Sequence, residues 1–198
     1  MVSIFDKLST VNITSATIPE TFYGLAGFGY IVTATYLPLF VKKGLGTVDP
    51  MQVWAAFGLA AVPSCFLWHW LHHRVGSRAA LILNLAVQAL GVLLPAMSPN
   101  APGFLVSAVL VGGTFVGVVT IAMPAAKRIA ADVGFNMMAA MTAAYGVGQI
   151  IGPLVSSALI AHTHSSTPSL VAAGGGPVVA ALCCAVSRST ASSERPGV

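Results

Sequence analysis

The chain has 198 residues, 56% of them hydrophobic and 7% charged, with nine basic against five acidic side chains and a net charge of +4. A soluble domain carries roughly 25% charged residues, and fourteen charged side chains cannot cover a water-soluble fold of this length. An ordinary soluble enzyme, a disordered regulator and a nucleic-acid binder are excluded. A mean hydropathy of +0.86 makes this an integral membrane protein, whose partner is the lipid bilayer.

Residues 1–18 hold Asp6, Asn12 and several Ser and Thr before any long apolar run. No cleavable signal peptide is expected there, and the first span would drive insertion. Asn12-Ile13-Thr14 fits a glycosylation sequon, but it falls on the side expected to be cytoplasmic. A bilayer core of about 30 Å asks for roughly 20 apolar residues. Six segments reach that length: 20–40, 51–71, 79–97, 102–124, 137–161 and 169–187. Turn chemistry separates them, from Lys42-Lys43-Gly44 to Asp49-Pro50, Arg74 to Arg78, Ser98-Pro99-Asn100, Lys127 to Asn136, and Thr163 to Pro168. The expected fold is an all-α membrane protein with six transmembrane helices over 19–188, an N-terminal segment 1–18 and a tail 189–198.

Basic residues in short loops set the orientation. With the N-terminus inside, the inner segments hold Lys7, Arg74, Arg78, Lys127, Arg128, Arg188 and Arg195, against Lys42 and Lys43 outside. Both termini are expected in the cytoplasm. Cys65, Cys183 and Cys184 lie in apolar stretches and read as small apolar residues. Glu20 is the only carboxylate within the spans and sits at their inner rim, where a solvated role fits better than proton carriage.

Three local patterns carry more information than hydropathy. The turn His69 to Arg78 places Gly76 between flanking arginines at the inner leaflet. In span 5, Gly148-Gln149-Ile150-Ile151-Gly152-Pro153 sets two glycines one turn apart before a proline, a pattern for close helix approach and a kink. Span 1 carries Tyr23 to Tyr30, then Thr33, Thr35 and Pro38.

On these residues the chain resembles the major facilitator superfamily (MFS) of secondary transporters. The turn is similar to that superfamily's inner-loop signature G-x-L-a-D-R-x-G-R-R through Arg74, Gly76 and Arg78, with His73 where Asp is usual and Ser77 where Arg is usual. That departure keeps the signature's charge network from carrying over intact. Gly148 to Pro153 resembles the g-x-x-x-G-P helix signature. Tyr23 to Pro38, Trp54 to Ala61, Gln88 to Pro95, Gly112 to Phe115 and Thr142 to Pro153 look closest to the YbfB/YjiJ-type branch. The resemblance runs over about 19–160 and implies the C-terminal half of a twelve-span transporter, helices seven to twelve, with 1–18 in the place of the central linker.

Substrate sites of that superfamily lie near the midplane between the halves, which makes polar residues at helical spacing cavity candidates. These are Tyr23, Tyr30 and Thr33 on span 1, Asn84 and Gln88 on span 3, and Thr142, Tyr145 and Gln149 on span 5. The other reading of the same residues is hydrogen bonding between helices. Gly112, Gly113, Gly117, Gly148, Gly152 and Pro153 are expected to serve packing and hinging. His69, His72 and His73 have metal-ligand spacing but no carboxylate or thiolate nearby, and His162 and His164 stand alone, so no metal is expected. No nucleophile elbow, phosphate loop, zinc-protease helix or paired carboxylate is present, so neither catalysis nor a cofactor is expected.

The expectation is therefore transport of a small solute by alternating access, in the bacterial inner membrane. The uncharged candidate lining favours a neutral or amphipathic solute. A half would need a partner N-terminal half or self-association. The alternatives are a non-transporting remnant, a membrane interaction protein docking through Gly-rich helix faces, and a histidine-based metal permease or sensor.

Overall fold

A computed structural model of the chain describes residues 13–44, 49–133 and 136–186, with side chains except at 13–22, 40, 42–44, 125, 128–133 and 186. Lys7, Arg188, Arg195, Glu194 and the tail therefore lie outside the described residues, and nothing is said of the Glu20 side chain. The described residues form α1 (Ile13–Gly44), α2 (Pro50–Val75), α3 (Ser77–Met97), α4 (Ala101–Val133), α5 (Met137–Thr163) and α6 (Thr167–Val186), with no strand among them.

Local chemistry accounts for the helix ends. Asp49 caps α2 by accepting the Met51 N–H at 2.9 Å, with Pro50 at the first helical position. Gly76 joins α2 to α3 with φ of 85°, and its N–H donates to His72 O at 3.0 Å. A side chain is disfavoured at that φ, so one glycine makes the shortest link between two helices among the described residues. Asn100 Oδ1 accepts the Gly103 N–H at 2.8 Å to open α4, and Asn136 Oδ1 accepts the Ala139 N–H at 3.1 Å to open α5. His164, with φ of 52°, closes α5.

Five of the helices, α2 to α6, are long and apolar enough to cross a membrane. The first helix, expected as a span over 20–40, has 32 residues. α1 touches all five other helices, so protein rather than lipid meets much of its surface. At 1.5 Å per residue the 32 and 33 residues of α1 and α4 exceed the roughly 30 Å of a bilayer core. Both outrun the spans read from hydropathy because a hydrogen-bonded helix continues through polar residues past the hydrocarbon.

Packing follows an inverted pattern. α2 packs on α4 as α5 packs on α1; α3 meets α4 as α6 meets α1; and α2 meets α3 as α5 meets α6. Exchanging α1 with α4, α2 with α5 and α3 with α6 maps these neighbours onto themselves, except that the α1–α3 contact has no α4–α6 counterpart among the described residues. Short turns alternate the helix directions, so the exchange relates two inverted three-helix units, an architecture common in transporters. One end of the core gathers Tyr23, Ala26, Leu85, Val118, Met137 and Met141. The other gathers Leu37, Val41, Val53, Phe104 and Leu170.

Small residues let the backbones meet. A Cβ on Gly148 would strike the Gly24 carbonyl, one on Gly27 would come within 2.7 Å of Tyr145 O, and one on Gly112 would strike the Phe57 carbonyl. In lipid such close packing replaces the hydrophobic drive of soluble cores.

Candidate functional site

A row of aromatic rings crosses four helices. Tyr23 of α1 lies 5.0 Å (ring centroids) from Tyr145 of α5, which stacks on Tyr30 of α1 at 5.8 Å and 15°. Tyr30 stacks in turn on Phe115 of α4 at 5.1 Å and 19°, and Phe115 on Phe57 of α2 at 5.6 Å and 29°. Phe57 meets Trp54 edge-on at 6.0 Å. The row joins α5, α1, α4 and α2, and α3 and α6 pack on each other behind it, with Val92 and Ala173 in the cluster against which Tyr30 and Phe57 pack. Tyr30, Tyr145, Phe115 and Phe57 are each half-buried, and Trp54 is exposed. At its Trp54 end lies a shallow surface dimple lined by Thr33, Leu37, Pro38, Val53, Trp54 and Phe57.

The row carries one internal polar bond, from Gln149 Nε2 to Tyr30 Oη at 3.0 Å. The sequence-derived candidates divide around it. Tyr30, Tyr145 and Gln149 come together on this surface, although they lie on helices far apart in sequence. Thr142 is exposed one turn away and bonds its own helix at Met138 O. Tyr23, Thr33, Asn84 and Gln88 are buried. Asn84 Nδ2 donates to Thr114 O of α4 at 3.0 Å, and Gln88 Nε2 donates to Ala26 O of α1 at 2.9 Å. Both amides thus tie α3 to its neighbours, and Asn84 Oδ1, Gln88 Oε1, Thr33 Oγ1 and Tyr23 Oη have no hydrogen-bond partner among the described residues.

Phe115, Phe57 and Trp54 were not singled out as site residues from sequence. Trp54 and Phe57 stand at i, i+3 on α2, a helical spacing that was available in the sequence, whereas Phe115 is α4's one ring in the row and its pairing with Tyr30 and Phe57 across helices leaves no periodic signal.

The glycine candidates sit between helices. Gly148 and Gly152 face α1 at Gly24, Phe28 and Ile31; Gly112 faces Phe57, Gly117 faces Trp68 and Asn84, and Gly113 is nearly open. Most of these faces are already filled within the bundle. Pro153, which interrupts α5 one residue beyond Gly152, accepts the Tyr36 hydroxyl at its carbonyl, at 3.1 Å.

At the turn between α2 and α3, Arg78 donates Nε to Cys184 O at 2.9 Å and Nη2 to Cys184 O and Ala185 O at 2.6 Å. It thereby satisfies the last carbonyls of α6, where helix geometry leaves acceptors unpaired and the dipole favours a cation. Arg74 lies 5.2 Å from the Trp70 ring centroid, and His73 contacts the rings of His69 and His72 at 4.5 and 5.0 Å. Among the described residues no three His, Cys, Asp or Glu side chains converge as metal ligands.

Compared with known proteins, residues 5–185 match the family model described as the uncharacterised MFS-type transporter YbfB. No curated protein and no solved structure matches the chain.

Proposed function

The chain belongs to the family of the uncharacterised MFS-type transporter YbfB, and from that membership we infer that it moves a small solute by alternating access, as one six-helix half of a transport unit. As a multi-pass membrane protein of a transporter family it is a carrier rather than an enzyme. The observation that carries the finer reading is the aromatic and amide wall shared by α5, α1, α4 and α2. Transport sites of this architecture lie where two repeats face each other near the midplane, and the Tyr30–Gln149 pair supports reading this wall as that face.

The facing wall belongs to a second six-helix unit, either a first half or another copy. α2 and α5, which contribute to the wall, are the least buried of the five helices long and apolar enough to cross a membrane. Their exposed Leu59, Val62, Phe66, Ile150 and Leu154 suit lipid or a partner helix. The excess of basic residues at one end supports an inner-membrane orientation with both termini in the cytoplasm.

Flux into proteoliposomes tests this reading. The chain, alone and co-reconstituted with a candidate first half, should give saturable uptake of at least one solute from a mixed labelled panel. Gln149→Ala and Tyr30→Ala should each reduce it. Uptake that ignores both substitutions, together with loss of partner association in Gly152→Leu, would favour a docking role instead.

A further inference from the structure

We propose that the α5–α1–α4–α2 wall selects a neutral aromatic solute, a planar ring carrying an uncharged hydrogen-bonding group, and rejects cations and anions of the same shape. The proposal rests on the transport reading above for its site and goes beyond it in the ligand it names.

Three observations lead there. First, the wall lacks fixed charge. Between Tyr23 and Tyr30, Trp54 and Phe57, and Tyr145 and Gln149, and around Phe115, there is no Asp, Glu, Lys, Arg or His. Asp49 caps the far end of α2, and His69, His73 and Arg74 gather at its other end. A charged solute would lose its hydration against this wall with no counter-charge, which is costly in a low-dielectric site.

Second, the ring faces at the centre of the row are already used. Tyr30 lies stacked with both Phe115 and Tyr145, and Phe115 with both Tyr30 and Phe57. Cations are held by the negative faces of aromatic rings, so a row stacked face to face offers them little. Along Tyr145, Tyr30, Phe115 and Phe57 the ring edges remain, and their positive polarisation suits the π-face of another ring in edge-to-face contact.

Third, the polar groups of the wall are neutral and only partly used. Tyr30 Oη accepts from Gln149 Nε2, which leaves its own O–H and the Gln149 carbonyl oxygen to bond a ligand. An amide, carbonyl or hydroxyl on the solute would find both a donor and an acceptor beside the ring edges.

Three probes of one shape decide it: phenylacetamide, phenethylamine and phenylacetate, which are neutral, cationic and anionic at pH 7. Saturable binding of each to the full chain in nanodiscs is measured by ligand-observed saturation-transfer NMR. Phenylacetamide should bind about tenfold or more tightly than either charged probe, as expected when a buried charge lacks a partner. Tyr30→Phe keeps the stacked ring and removes only the hydroxyl, and should weaken phenylacetamide about fivefold, the scale of one hydrogen bond. Phe66→Ala lies two and a half turns from Phe57, on the opposite side of α2, and should change nothing.

Equal or tighter binding of a charged probe overturns the proposal, as does saturable binding of none. Phenylacetamide binding that is indifferent to both Tyr30→Phe and Gln149→Ala overturns the location. Selective phenylacetamide binding without flux in any reconstitution would retain the ligand class and sink the transport reading. Flux of a charged solute through a Gln149-dependent path would do the reverse.

Discussion

Single residues carry two kinds of energy in this protein, close backbone approach and polar capping, and each makes a separate prediction. Gly148 touches the α1 backbone at Gly24, so Gly148→Val must push α1 and α5 apart. Overpacking of this kind costs about 1–3 kcal/mol, and a lowered melting temperature in detergent should report it. Gly58 has open space around it, so Gly58→Ala should be neutral or raise the melting temperature through better helix propensity. Arg78 holds the end of α6 through three hydrogen bonds from a charged group. Arg78→Ala should cost about 1.5–3 kcal/mol and speed hydrogen exchange at the C-terminal end of α6. Arg78→Lys should recover only part, because an ammonium cannot reproduce the forked geometry. The need for an arginine after Gly76 is legible in the inner-loop signature. Its target at Cys184 O and Ala185 O, 106 and 107 residues away, is not.

At the scale of the helix, the apolar runs located every element, and the caps Asp49 and Asn136 stand where turn chemistry separates the spans. Asp49→Ala removes the acceptor for Met51 N–H and should cost about 1 kcal/mol, seen as fraying at the start of α2 by hydrogen exchange. The buried amides of α3 illustrate what helical spacing leaves open. Asn84 and Gln88 share a face at i, i+4, which suits either a cavity or a helix contact. Each reaches a neighbouring carbonyl, and both are essentially inaccessible. Gln88→Leu removes one interhelical bond together with an unpaired buried oxygen, so its net cost should stay near 0.6 kcal/mol. A large loss of stability in a melting experiment would contradict that.

For the whole molecule, the decisive question is which face meets water and a partner half and which meets lipid. In a chain whose Cys65, Cys183 and Cys184 are replaced by alanine, cysteines at Tyr30, Phe115 and Tyr145 should react with a membrane-impermeant maleimide in proteoliposomes. Cysteines at Phe66 and Leu154 should not, because they project from α2 and α5 away from the aromatic row. Protection at all five positions would mean that the row faces lipid and lines no path. The inverted pairing of α1–α3 with α4–α6 belongs to this scale too. Hydropathy marks six similar runs, and nothing in their order says that α2 packs on α4 rather than mainly on α3.

Composition and hydropathy alone determined that this is a multi-pass helical membrane protein, and the inner-loop and helix signatures pointed to its transporter family. Both are properties of short stretches, readable because a bilayer imposes one length and one polarity on every span. Which candidates face an open surface was decided only by tertiary structure. Tyr30, Tyr145, Phe115 and Phe57 form one row because four helices bring together rings from residues 30 to 145. Helical periodicity describes one helix at a time, whereas a wall between helices depends on their mutual rotation. That rotation is set by where glycines such as Gly148 and Gly112 let the backbones meet.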